Sequence, residues 1–323
     1  MVSQEVAVVS KPAPEVLARQ EGRPLVVICG PTATGKTGAS VELAEHIGGE
    51  IVAADSRTIY QETDIGTAKP TPAQQARIRH HLIDIARPDE VVTVATYRKL
   101  AAAVIREIRE RGNVPLLVGG TGLYIRAVTN GLTIPEVSPD WGLRERLEQV
   151  ERDRPGSLHA RLQAVDPVAA SRIHPNNVRR LIRALEVYEH TGRPISELQR
   201  TTNVIGSVRR IGLTMDRDEL YRRIDARIDG QMRAGLVEEV RRLLETGYDR
   251  RLPAMQGLGY KEIVAYLDGD VSLEESVRVL KRNTRRFAKR QYTWFRRDTR
   301  IRWLDVTRKT PDEVAGEIQA MIE

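Results

Sequence analysis

The 323-residue chain has one cysteine, two phenylalanines and only 4% aromatic residues. A single cysteine excludes an internal disulfide. Cys29 lies in the apolar run Leu25-Val26-Val27-Ile28-Cys29 and is expected as a small buried residue at a strand end. So few rings exclude a protein that grips single-stranded RNA mainly by stacking bases on aromatic platforms; a nucleic-acid partner would be held by backbone and shape. No apolar run approaches the roughly 18 residues of a membrane span. Residues 1–22 lack the basic start and long apolar stretch of a secretory signal. A cytosolic, cytoplasmic protein with no membrane partner is expected. Disorder throughout is excluded by a hydrophobic content of 41%.

Positive charge is plentiful, but it is unevenly spread. The chain carries 51 Lys+Arg against 44 Asp+Glu, a net +7. Between Arg278 and Arg302 there are eleven basic residues and one acid, a local +10, which leaves −3 for the rest. Most of this stretch continues a helix opened by the capping-box pattern Ser272-Leu273-Glu274-Glu275, with Val277, Leu280, Phe287 and Trp294 spaced to face the core. Such a helix is a candidate track for RNA phosphates.

From Arg23 onward short apolar runs alternate with amphipathic helices, the pattern of a parallel sheet covered on both faces. The strand candidates are Leu25–Cys29, Ile51–Ala54, Leu82–Ile85, Val114–Val118, Arg210–Met215 and Ile301–Val306. Helices are expected at Gly38–Ile47 and at Tyr97–Arg111, the latter closed by Gly112. Another is expected from Thr310, with Pro311 at its first position. From about Gly131 to Ser207 only helices are indicated: one opened by Ser138-Pro139-Asp140, another opened by Asn176-Asn177 and ending near Gly192. The expected architecture is therefore a flexible tail over 1–22, an α/β core formed by 23–130 and 208–323, and an all-helical insertion over 131–207.

Gly30-Pro31-Thr32-Ala33-Thr34-Gly35-Lys36-Thr37 matches G-x-x-x-x-G-K-[ST] between a strand and a helix, which makes the core P-loop NTPase-like. Glycines let backbone N–H groups close around phosphate oxygens at a helix N-terminus, Lys36 adds a charge, and the Thr37 hydroxyl can ligate Mg²⁺. The motif marks a nucleotide- or diphosphate-binding loop without saying which phosphate it holds. ATP-hydrolysing relatives of this fold carry an acid at the end of a later strand. Here Val114–Val118 runs into Gly119-Gly120-Thr121-Gly122 instead, so diphosphate as a leaving group is equally open. Asp55 follows Ile51–Ala54 at the carboxyl edge of a strand, where it can serve as a general base or metal ligand, or merely cap a turn. Asp64-Ile65-Gly66-Thr67-Ala68-Lys69-Pro70 is expected as a loop at the same edge. His80-His81 lacks partners at ligand spacing and is expected to be structural.

These segments, with Tyr60, with His81-Leu82-Ile83-Asp84 and with Gly119-Gly120-Thr121-Gly122-Leu123-Tyr124, stand in the order found in tRNA dimethylallyltransferases. Arg172-Ile173-His174-Pro175-Asn176, Arg183-Ala184-Leu185-Glu186-Val187, Gly257-Leu258-Gly259-Tyr260-Lys261 and Ala288-Lys289-Arg290-Gln291 through Trp294 add to the resemblance, which spans about residues 24–306. The resemblance implies transfer of a dimethylallyl group from dimethylallyl diphosphate to N6 of the adenine at tRNA position 37, in tRNAs reading codons that begin with U. It implies Mg²⁺ as cofactor, with Thr37 as its protein ligand, and the anticodon stem-loop as partner; a monomer is expected. Asp55 matches the family's base, Thr121 its reaction-channel threonine, and Lys36 with residues 30–37 its diphosphate cradle. Arg223 and Arg227 match its diphosphate-side arginines, although two arginines one helical turn apart are also what a solvated face presents. Segments matching tRNA contacts are Asp55, Ser56, Arg57 and Thr58; Arg144; Arg179, Arg180, Leu181, Ile182 and Arg183; and Gln256, Gly257, Leu258, Gly259, Tyr260 and Lys261. The chain departs from the family where Thr58 stands in place of a common glutamine and where Glu62-Thr63 replaces a glycine-containing pair. The alternatives are an adenylate isopentenyltransferase, an ATP-dependent small-molecule kinase and a non-catalytic RNA-binding protein.

Overall fold

The apolar run ending in Cys29 forms β1 (Leu25–Cys29), with every residue buried. In this computed structural model, residues 23–133, 135–199, 201 and 205–323 are described; the tail expected over 1–22 lies outside them. β1 lies between β4 (Val114–Gly119) and β5 (Val208–Thr214). Beyond β4 come β2 (Gly49–Ala53) and then β3 (His80–His81), and beyond β5 comes β6 (Arg302–Asp305). All five pairings are parallel. This is an α/β fold with a single parallel sheet among the described residues.

Side chains alternate along a strand, so one continuous apolar run serves both faces of the sheet. Val26 and Ile28 join a core built with α1 (Lys36–Ile47), α10 (Arg217–Arg233), α11 (Leu236–Glu245), α12 (Tyr260–Leu267), α13 (Leu273–Phe295) and α14 (Pro311–Ile322). Leu25, Val27 and Cys29 face α3 (Val94–Glu110) and α4 (Gly122–Thr129). On that side Tyr97 and Tyr124 stack with centroids 3.8 Å apart, and the Tyr97 hydroxyl donates to the Ala53 carbonyl at 2.8 Å. The end of β2, two residues before Asp55, is thereby pinned to the helix layer.

The strand expected at Leu82–Ile85 is absent. β3 is His80–His81 instead, short α2 (Pro72–Arg77) precedes it, and Leu82 and Asp84 take positive φ values of 62° and 55°. The physical reason lies outside the segment. The Asp84 N–H donates to the Thr58 carbonyl at 3.2 Å and the Asp84 carboxylate is claimed by Lys69, which bends the chain away from the sheet. His81 is structural: its Nε2 lies 2.7 Å from Glu50, which also accepts from Arg111 and Asn113. The expected boundaries coincide with the observed ones at β1 and differ by at most three residues at the other strands and at α1 and α3, the usual scatter at element ends.

Residues 141–198 hold α5 (Trp141–Asp153), α6 (Ser157–Val165), α7 (Pro167–Ala170), α8 (Val178–Thr191) and α9 (Ile195–Leu198), with a separate apolar core around Leu147, Leu158, Leu162, Leu181 and Leu185. Asp140 caps α5 by accepting from the Leu143 N–H, and Gly192 ends α8 at φ 66°. One carboxylate ties this layer together. Glu186 is fully buried and accepts from the Asp140 N–H at 2.8 Å, from Arg144 at 2.8 Å and from Arg183 at 2.6 Å. Burial alone would raise its pKa, but the two guanidinium bonds hold it below the ordinary carboxylate value.

Removing Glu186 strands two arginines and a backbone N–H. Glu186→Ala is expected to cost about 3–5 kcal/mol, with the loss confined to residues 137–198. Amide hydrogen exchange would reveal it as lost protection in that lobe while β1 and β4 keep theirs. Because a depressed carboxylate stabilises only when ionised, the wild-type lobe keeps this contribution above the unfolded-state pKa near 4.5 and loses it as pH falls through the lowered folded value.

Candidate active site

β1 ends against a backbone that leaves no room for a side chain. A Cβ on Gly30 would lie 2.6 Å from the Leu213 carbonyl oxygen, and Gly30 itself sits at φ 140°. The loop then turns through Ala33 at φ 67° and Gly35 at φ 87°, and α1 starts at Lys36. Within the loop the Thr34 hydroxyl donates to the Pro31 carbonyl at 2.9 Å, and the Lys36 ammonium donates to the carbonyls of Gly30 at 3.0 Å and Pro31 at 2.6 Å. Burial, followed by the nearby Arg227, lowers the Lys36 pKa to about 8, against the pull of Asp55.

The loop opens into a cleft of about 400 Å³ whose walls include Lys36, Thr37, Asp55, Thr58, Arg227 and Gln291. Asp55 is set by the Arg57 N–H, which donates to its Oδ1 at 2.8 Å. Its other oxygen has no recorded hydrogen bond among the described residues. Thr121 does not line the cleft. It stands behind Asp55, where its Oγ accepts from the Ser56 N–H at 3.0 Å and its own N–H donates to the Ala54 carbonyl at 3.1 Å. Gly119 makes that approach possible, since a Cβ there would lie 2.1 Å from the Ala54 oxygen.

Arg227 reaches the loop from α10, donating to the Thr32 hydroxyl at 3.1 Å. Arg223, one turn earlier, is paired with Glu219 at 2.9 Å and lies 3.9 Å from where a Cβ on Gly35 would be. The two arginines thus flank the loop. Arg57 extends away from Asp55 to bond the Pro253 carbonyl, and Gly257 packs beside its stem, so the 256–261 segment is joined to the Asp55 turn. Within that segment Tyr260 is buried, donating to Glu239 at 2.6 Å. Arg179 to Arg183 lie on α8 and Arg144 on α5. Leu181 and Ile182 are in the lobe's core, and Arg144 and Arg183 are tied to Glu186.

Three participants escape a reading of local sequence. Gln291 donates to the Gly120 carbonyl at 2.9 Å and accepts from the Thr32 N–H at 2.8 Å, bridging the phosphate loop to the glycine turn after β4. Phe287, one turn earlier on α13, lines the cleft rather than the core assigned to it from periodicity. Their spacing of four on one helix is the only signal that links them. The third is Glu239, which is buried and accepts from the N–H groups of Asp64, Ile65 and Gly66 at 3.0, 2.8 and 3.1 Å, folding the loop whose Thr67 to Pro70 form a cleft wall. Thr58 also lines the cleft, with a buried hydroxyl that has no hydrogen-bond partner among the described residues.

No group of three His, Cys, Asp or Glu side chains able to hold a metal occurs among the described residues. The Thr37 hydroxyl lines the cleft with no recorded hydrogen bond, and Asp55 is the carboxylate on the cleft wall. Such a sparse oxygen set suits Mg²⁺, which keeps waters and binds through one or two protein oxygens plus substrate phosphates.

A model of the family described as IPP transferase matches residues 58–298. A protein of Pelotomaculum thermopropionicum named tRNA dimethylallyltransferase is 54% identical over 285 residues, covering 88% of this chain and 91% of that one. A protein of Symbiobacterium thermophilum with the same name is 52% identical over 289 residues, covering 88% and 90%. Among solved structures, the full-length tRNA isopentenylpyrophosphate transferase of Bacillus halodurans superposes with TM-score 0.68 at 43% identity, covering 93% of this chain and 97% of its own. A eukaryotic dimethylallyltransferase described as acting on tRNA superposes with TM-score 0.72 at 27% identity, covering 88% and 74%.

Because the Lys36 ammonium is charged only below about pH 8, its share of diphosphate affinity should be present at pH 7 and fade toward pH 9. Calorimetric titration with inorganic diphosphate checks this: the ratio of wild-type to Lys36→Met affinity is expected to fall about tenfold over that range. Gln291→Ala leaves a buried carbonyl and a loop N–H unpaired and is expected to cost about 1–3 kcal/mol in urea unfolding.

Proposed function

The chain belongs to the IPP transferase family, and from that membership we propose that it acts as a tRNA dimethylallyltransferase, joining the dimethylallyl group of dimethylallyl diphosphate to N6 of the adenine 3′ of the anticodon. The observation that carries this reading is the pairing, in one cleft, of a phosphate loop with a carboxylate that has one oxygen fixed and the other unbonded.

The exocyclic amine of adenine is a weak nucleophile because its lone pair is delocalised into the ring, so a base that takes its proton as the N–C bond forms lowers the barrier. Asp55 is that base. The Arg57 N–H holds its Oδ1, which leaves Oδ2 to receive the proton. As the C–O bond to diphosphate breaks, charge gathers on the leaving oxygens, where the loop N–H groups, Lys36, Arg223 and Arg227 stabilise it. Lys36 bonds loop carbonyls in the free protein and can turn to phosphate oxygens. Mg²⁺, held by Thr37 and the donor's own phosphates, supplies further neutralisation of that charge when bound. To reach Asp55 the adenine must leave its stack, which costs a few kcal/mol and less for a loop base.

RNA is held, on this reading, by the Asp55–Thr58 turn, the adjoining 256–261 segment, Arg144 and the basic face of α8, so that residues 131–207 act as an insertion domain closing on the anticodon stem-loop. The solvent side of α13 adds Arg282, Arg286, Lys289 and Arg290, for which no ion pair is recorded among the described residues. Lys281 and Arg285 are already taken by Asp229 and Asp225 of α10, so the helix offers fewer free charges than its composition implies.

Asp55→Ala is expected to lower transfer of labelled dimethylallyl to a suitable tRNA by about 10²–10⁴-fold while leaving tRNA binding within a few fold. Label transfer to free AMP as efficient as to tRNA would instead indicate an adenylate prenyltransferase. Phosphoryl transfer from ATP with no reaction of the prenyl donor would indicate a kinase.

A further inference from the structure

Behind the phosphate cradle lies a second cleft, of about 330 Å³, on the α3–α4 face of the sheet. Side chains of α13 reach both clefts. Gln291, against Gly120, faces the first cleft, and Trp294, whose Nε1 lies 2.0 Å from where a Cβ on Gly122 would be, walls the second. Four arginines line this second cleft, Arg126, Arg210, Arg297 and Arg300, against one carboxylate, Asp298, an excess of three positive charges. The Cys29 thiol at its floor adds no anion, because burial pushes its pKa up to about 12.

The carboxylate serves mainly one arginine. Arg300 takes Asp298 with both Nε and Nη2 at 2.7 Å. Arg210 is left 3.9 Å from the same carboxylate, with nine-tenths of its side chain buried and its Nε without a hydrogen-bond partner among the described residues. Arg126 and Arg297 are exposed, and no ion pair is recorded for either among the described residues. A buried guanidinium with an unmet donor is costly unless an acceptor completes it. The fork geometry of arginine suits the oxygens of a phosphate, and the excess charge exceeds what a single carboxylate would offset. Trp294 and Ile125 add apolar surface to the lining, against which a base or similar group could pack.

We propose that this cleft binds a phosphorylated ligand of nucleotide size, with its phosphate on Arg210, Arg126 and Arg297 and its organic part against Trp294 and Ile125. The source is either a free nucleotide or a nucleotide of an RNA strand, and the proposal stands apart from the transferase reading because none of these residues lines the first cleft. The test uses the full chain carrying Lys36→Ala, which weakens the cradle, with and without Arg126→Gln and Arg297→Gln, both at exposed positions. AMP and an anticodon stem-loop RNA are titrated separately. A free-nucleotide site predicts AMP binding that the added substitutions weaken at least tenfold, and that Arg210→Lys, which keeps charge but loses the fork, weakens severalfold. An RNA site predicts no AMP effect, at least tenfold weaker stem-loop binding, and a slope of log K against log salt that is shallower by about one to two. If the variants melt as the parent does and neither ligand distinguishes them, the proposal is wrong.

Discussion

At the carboxyl edge of the sheet there is no room for a Cβ on Gly30, Gly119, Gly120 or Gly122, and the site depends on that closeness. Gly30 lets β1 run against the Leu213 carbonyl of β5, and Gly119 lets β4 run against Ala54, the residue before Asp55. Gly120 leaves the space that the Gln291 amide fills, with its hydrogen bonds to both the phosphate loop and the glycine turn. The distance between the phosphate cradle and the carboxylate is therefore set by backbone packed on backbone and by one buried amide. Such contacts move less than side chains do, and a transfer reaction that tolerates little misplacement of its partners benefits from them.

What could be read in the sequence was what local chain geometry dictates. The phosphate loop is one continuous turn between a strand and a helix, so its spacing fixes its shape, and Asp55 follows an apolar run so directly that its place at the strand end is forced. The bend at Leu82–Ile85 could not be read the same way. Its residues have good strand character, but Lys69, Asp84 and the Thr58 carbonyl decide their path from elsewhere in the chain. Phe287 follows helical periodicity, yet periodicity names a face and not what that face meets. Glu239 is likewise invisible, because a glutamate on a helix is ordinarily solvated, and only the tertiary fold brings the three N–H groups of the Asp64 turn to it. The same limit applies to charge: composition counts Lys281 and Arg285 as basic, whereas α10 has already paired them.

The helical lobe shows how a segment can carry two kinds of demand. Arg144 and Arg183 belong to segments resembling tRNA contacts, and both are held by Glu186, the carboxylate that keeps the lobe's own layers together. A guanidinium fixed in this way presents its remaining donors in one direction, which lowers the entropy lost when a phosphate arrives. Thr58 is the contrasting case. It is a short hydroxyl in the cleft wall, without a hydrogen-bond partner among the described residues.

The closeness at Gly30 also bears on the order in which the protein is made. The Thr32 N–H and its Gln291 partner are 259 residues apart, and the backbone that seats Gly30 comes from β5, past residue 207. A nascent chain whose first two hundred residues have left the ribosome therefore has the whole phosphate motif but neither of its supports. Its β1 waits with one edge bare, and that is a period of exposure to unwanted pairing. Completion of the cradle therefore waits on α13, so a truncated product of translation would carry the phosphate motif without the contacts that hold it in shape.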